Sequence, residues 1–139
     1  MKKILFVCTG NTCRSPMAEG IFNKLATEKS WKASAKSAGL FVTEGTVSTN
    51  SLEVCRENDI DISSHIPTSI TAELINEADV VLTMTDSHKA AFGGMDKVFT
   101  VSEYFADGGD VTDPYGGNVE IYRQTFGQLE KLIGNYNED

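Results

Sequence analysis

The chain has 139 residues, long enough for one domain with a real core and too short for two ordinary ones. Twenty acidic against twelve basic residues leave a formal charge of −8, which argues against nonspecific nucleic-acid binding and for a monomer or weak oligomer. No stretch approaches the roughly 20 apolar residues of a membrane span, and Met1-Lys2-Lys3 runs straight into an apolar strand, which predicts no signal peptide, no membrane partner and a cytoplasmic location.

The first strand is the apolar run Ile4-Leu5-Phe6-Val7, which stops at the polar turn Cys8-Thr9-Gly10-Asn11-Thr12-Cys13-Arg14. An unbroken apolar run of this kind suits a strand buried on both faces of a parallel sheet. Ser15-Pro16 then predicts a helix opening, with Ser as N-cap, Pro at the first helical position, and Met17, Ile21 and Leu25 on one face. A shorter strand is expected within Lys32–Leu40, ending Ser37-Ala38-Gly39. A helix over Ser48–Asn58 carries Cys55 toward the core, and Thr71–Ala78 reads as a short helix. Asp79–Met84 is a second central strand, Thr85–Ala91 a helix closed by Gly93-Gly94, and Lys97–Val101 a fourth strand. Ser102–Asn118 reads as one long Gly- and Asp-rich loop, and Val119–Asn135 as an amphipathic helix bearing Ile121, Tyr122, Leu129, Leu132 and Ile133.

Strands alternating with helices imply an α/β fold: a doubly wound four-stranded parallel sheet, helices on both faces, in a single domain spanning 1–139 without repeat or linker. Ligands of such sheets bind at the carboxyl ends of the strands, which is where Cys8 falls. A loop feeding a helix N-terminus can turn backbone N–H groups and the helix dipole toward a tetrahedral anion, so the loop after strand one reads as a phosphate socket. Its first residue is Cys8 and its last Arg14, with five residues between. Positive potential there would hold Cys8 as a nucleophilic thiolate near neutral pH, and Arg14 can grip two phosphoryl oxygens bidentately. Ser15 could donate to the Cys8 sulfur when it leaves. A lone Cys ending an apolar strand is usually a small buried hydrophobe, but the joint pattern of strand, Cys-x5-Arg-Ser-Pro and amphipathic helix singles this one out. Neither a nucleotide P-loop nor a dinucleotide glycine motif fits, and three scattered Cys with two distant His make neither a zinc site nor a disulfide framework.

Positions 7 to 19, Val-Cys-Thr-Gly-Asn-Thr-Cys-Arg-Ser-Pro-Met-Ala-Glu, resemble the signature of the low-molecular-weight protein phosphatases. The likeness extends through Ser37-Ala38-Gly39, His65, Leu82-Thr83-Met84 and Asp113-Pro114. It implies Cys8, Arg14 and Asp113 as catalytic residues, with Asp113 first the general acid and then the base. By itself, Asp113-Pro114 is an ordinary turn initiator. Thr9, Gly10, Asn11, Thr12, Cys13 and Ser15 would line the phosphate loop, and Tyr115 would flank its mouth. Asn11 would brace the loop with Ser37 and His65 as partners, and Cys8 with Cys13 could form a reversible disulfide on oxidation. His88 is left as a surface residue.

Thr12 stands where the tyrosine-phosphatase branch usually carries a bulky aliphatic residue, and Gly116-Gly117 replaces its second aromatic; the Thr12 departure resembles the protein-arginine-phosphatase branch. The expected activity is therefore hydrolysis of phosphoarginine in protein substrates through a phosphocysteine, without metal or organic cofactor. Phosphotyrosine on the same machinery is the alternative. An arsenate reductase would need a relay of further Cys that Cys55 alone does not supply, and a silent phosphate-binding module would not need Cys8, Arg14 and Asp113 together.

Overall fold

Strand β1 (Lys2–Cys8) is flanked by β2 (Ala33–Gly39) and β3 (Val80–Thr83), with β4 (Val98–Thr100) beyond β3, and every pairing is parallel. These relationships come from a computed structural model that describes residues 1–138; the last position of the expected 1–139 domain, Asp139, lies outside the described residues. β1 runs in register with β2 from Lys2 opposite Ala33 to Cys8 opposite Gly39, and with β3 from Ile4 opposite Val80 to Val7 opposite Thr83. Alternate residues feed two cores, as strand geometry requires. Ile4, Phe6, Cys8, Ala33, Ala35 and Leu82 join one apolar cluster, and Leu5, Val7, Ala38, Val81 and Val98 the other.

The larger cluster is completed by α1 (Arg14–Glu28), α2 (Thr49–Glu57) and α6 (Val119–Ile133), together with Val101 and Phe105 of the five-residue α5 (Val101–Phe105). The opposite face takes Ile70, Leu74 from α3 (Ala72–Glu77) and Phe92, which follows α4 (Asp86–Ala90). The expected doubly wound sheet is thus observed, with its strand order reversing direction on either side of β1. The chain leaves β1 toward one edge and later returns on the other side, so the crevice at the Cys8 end is a topological switch point.

Two local expectations are corrected. The first helix begins at Arg14 with Cys13 as N-cap and no side-chain cap, so Ser15 and Pro16 lie inside the first turn. Pro is tolerated there because first-turn N–H groups have no intrahelical acceptor. The second correction is α5, which occupies the start of the segment read as one long loop. Its cap is a reciprocal pair: Thr100 Oγ1 accepts from Glu103 N at 3.1 Å and the Glu103 carboxylate accepts from Thr100 N at 2.9 Å.

The segment after α5 is anchored at Val111, whose N–H donates to Met84 O at 2.9 Å just beyond β3 and whose side chain is buried. That tether carries residues 110–115 over the carboxyl edge of the sheet.

Candidate active site

Cys8 ends β1 almost fully buried, with Sγ 2.8 Å from Ser15 Oγ. Between them the chain turns through Asn11, whose φ of 56° is the left-handed conformation that Asn accepts more readily than most residues. Its amide orientation is set by Thr68 N–H, a pure donor 2.9 Å from Asn11 Oδ1. Nδ2 therefore donates to Ser15 Oγ at 2.7 Å and to Ser37 Oγ at 3.0 Å. His65 Nε2, 3.0 Å from the same Oδ1, must carry a hydrogen, and its Nδ1 lies 3.8 Å from Glu19 Oε1. Ser37 closes the ring by donating to Glu19 Oε1 at 2.6 Å. Ser37 and His65 are thus brought onto Asn11, and Glu19 and Thr68 are members of the network that the sequence did not reveal.

Burial pushes the Cys8 thiol up; the Ser15 hydroxyl, Ser15 N–H, the Arg14 charge and Asn11 N–H pull it down without offsetting that cost. Burial thus opposes the thiolate expected near neutral pH, while Ser15, Arg14 and the Asn11 N–H favour it at a residue that is only 3 % exposed. Arg14 is buried, its Nη1 donating to Val111 O at 3.0 Å and its Nη2 3.6 Å from Asp113 Oδ2. Asp113 is more than half exposed and accepts from Tyr115 N through Oδ1 at 3.1 Å. The anchored loop thereby sets carboxylate, guanidinium and sulfur around one opening.

That opening is a cleft of about 270 Å³ lined by Cys8, Thr9, Gly10, Thr12, Cys13, Arg14 and Asp113, with Phe41, Thr43, Glu44 and Tyr115 toward its mouth. Thr12 is held by its carbonyl, which accepts from Ser48 N at 3.1 Å and Ser51 Oγ at 3.2 Å, while its hydroxyl meets only Cys13 Sγ at 3.5 Å among the described residues. Cys13 Sγ is also 3.4 Å from Tyr122 Oη. Burial first, and the Cys13 hydrogen bond second, push that phenol up to about 12, so it stays protonated.

His88 is not a surface residue as expected. It is buried, with Nε2 2.8 Å from Thr9 Oγ1 and Nδ1 without a partner among the described residues. Burial, and secondarily the Arg14 charge, push its pKa down, so the ring is neutral beside the loop. Cys55 is buried as expected, and desolvation pushes its thiol up to about 12.

A Cys-x5-Arg loop joining a central parallel strand to a helix N-terminus, with an Asp-Pro segment above it, is the architecture of a phosphate-handling cysteine site. The chain belongs to the low molecular weight phosphotyrosine protein phosphatase family, which it matches over residues 3–139. It is 44% identical over 137 residues to a protein-arginine-phosphatase of Bacillus subtilis, covering 94% of this chain and 91% of that protein. It is also 42% identical over 141 residues to the low molecular weight protein-tyrosine-phosphatase PtpB of Staphylococcus haemolyticus, covering 95% of each. Among solved structures it resembles a Cys-to-Ser mutant of the YwlE arginine phosphatase with a phosphorylated active site serine, at TM-score 0.90 and 42% identity over 96% of this chain and 91% of that one.

Proposed function

We propose that this chain is a protein phosphatase that hydrolyses phosphoarginine on protein substrates in the cytoplasm, through a phosphocysteine at Cys8. The reducing cytoplasm suits a free, chemically active thiol. The reaction needs one proton shared between sulfur and acid. With that proton on Asp113, the Cys8 thiolate attacks phosphorus in line as the P–N bond breaks. Asp113 delivers the proton to the departing nitrogen. Arg14 and the loop N–H groups take the charge of the equatorial oxygens. Asp113 then removes a proton from water attacking the S–P bond, and the Ser15 hydroxyl donates to the sulfur as it leaves. In this reading Cys13 is the resolving thiol: when a peroxide oxidises Cys8 to a sulfenic acid, Cys13 displaces water from it to give a disulfide.

The observation that carries the choice of substrate is Thr12, a small hydroxyl-bearing residue on the cleft wall whose Oγ1 makes no bond to backbone among the described residues. A guanidine offers planar N–H donors that this oxygen and the Asp113 carboxylate can accept, whereas a phenyl ring would meet a polar wall. Wild type should therefore show the higher kcat/KM on a phosphoarginine peptide than on the matching phosphotyrosine peptide. Thr12→Ile should shift that ratio toward phosphotyrosine by about 10- to 100-fold, the cost of a buried donor left without its acceptor. A wild-type preference for phosphotyrosine would hand the site to the tyrosine reading.

A further inference from the structure

Glu44 lies in the loop between β2 and α2, and its carboxylate takes no part in the steps above. It lines the mouth of the cleft with Phe41 and Tyr115. Its Oε1 accepts from Tyr115 Oη at 3.5 Å, and no Lys, Arg or His pairs with it among the described residues. Asp113, in contrast, is engaged by Tyr115 N on one oxygen and by Arg14 near the other. An unpaired carboxylate beside an anion site repels an entering phosphoryl group, so its presence needs a cation on the substrate side.

Tyr115 touches both carboxylates, its backbone N–H donating to Asp113 Oδ1 and its phenol to Glu44 Oε1. Asp113 pairs with Arg14 of the phosphate loop, whereas Glu44 has no hydrogen bond or ion pair to that loop among the described residues, which leaves it for a side chain next to the phosphorylated one in a bound polypeptide. Beside it the Phe41 ring is 71% exposed, an apolar face at the same rim that a cation can cover.

We propose that Glu44, with Phe41, forms a subsite for a basic side chain flanking the phosphorylated residue, making Glu44 a determinant of which protein sites are dephosphorylated. The inference rests on the phosphatase reading of the cleft, but not on which residue bears the phosphate. The test measures kcat/KM for paired peptides that differ only in a Lys or a Glu next to the phosphorylated residue, prepared in phosphoarginine and phosphotyrosine versions. Wild type should favour the Lys-flanked peptide about 2- to 5-fold, the scale of an exposed ion pair. E44Q should bring the ratio to about one by this same scale, and E44K should invert it. Because each ratio is internal to one protein, partial loss of folded material does not affect it. A wild type indifferent to the flanking charge, or an E44K protein with the wild-type ratio, overturns the subsite. A preference for the phosphotyrosine versions with the charge ratio intact overturns only the phosphoarginine reading.

Discussion

The Ser15 hydroxyl accepts from Asn11 Nδ2 at 2.7 Å and lies 2.8 Å from Cys8 Sγ, so its own hydrogen is available to the sulfur whenever Cys8 is a thiolate, which can only accept. The Ser15 side chain is also the largest influence pulling the thiol down against burial. Ser15→Ala should therefore raise the Cys8 pKa further. Alkylation by iodoacetamide follows the thiolate, so its rate climbs with pH as the thiol loses its proton, and in the variant that climb should move to higher pH. The variant should also accumulate phosphoenzyme, because the sulfur then leaves without a donated proton. A pH profile superimposable on wild type would remove Ser15 from the control of Cys8.

At the scale of elements, the phosphate loop is set by how closely the end of β2 approaches it. A Cβ at Gly39 would lie 2.7 Å from Thr9 O, 2.9 Å from Val42 Cγ2 and 3.0 Å from Asn11 N. Two of those atoms are loop backbone and cannot yield without moving the N–H cradle. Gly39→Ala should cost about 1–3 kcal/mol of stability and roughly 10²-fold in kcat/KM, the usual penalty for an ångström of misplacement. Gly20→Ala provides the contrast, since its Cβ would press on Ile60 Cγ2 at 2.7 Å and Ile62 Cγ2 at 3.2 Å, side-chain methyls and no backbone of the phosphate loop. Its melting temperature should fall while kcat/KM holds; equal losses of kcat/KM in both would show that general loosening, not loop geometry, governs the rate. The same elements show what the sequence makes readable. Ile4–Val7 and Val80–Leu82 are buried on both faces, so their apolar runs are direct signatures of central strands. The reciprocal cap of α5 is written in Thr100-Val101-Ser102-Glu103, but the Gly- and Asp-rich run after it dominates a reading by composition. Ser15 is readable both as a helix cap and as a donor to the Cys8 sulfur, and only the turn of the loop decides against the cap and for the sulfur. His88 and Glu44 owe their places to Thr9 and Tyr115, 79 and 71 positions away, and no local pattern encodes such contacts.

The whole molecule places an anion site on a chain of net charge −8, and two fields of opposite sign act on an arriving phosphate. The near field comes from buried Arg14, the loop N–H groups and the N-terminus of the fifteen-residue α1. It acts at contact distance where little salt can enter. The far field is the summed acidic surface, which falls off with a Debye length of about 30 Å at 0.01 M salt and about 8 Å at 0.15 M. Added salt therefore removes repulsion more than attraction. Inorganic phosphate should bind more tightly at 0.15 M than at 0.01 M ionic strength, the reverse of an exposed ion pair. The Cys8→Ser protein is suited to the measurement, since it keeps the N–H cradle and Arg14 while losing turnover. Phosphate should raise its melting temperature as ligand linkage requires, and the rise at fixed phosphate should grow with inert salt. A rise that shrinks with salt would mean that the phosphate senses an exposed cation at the mouth and not the buried cradle, which would relocate the anion site away from Arg14.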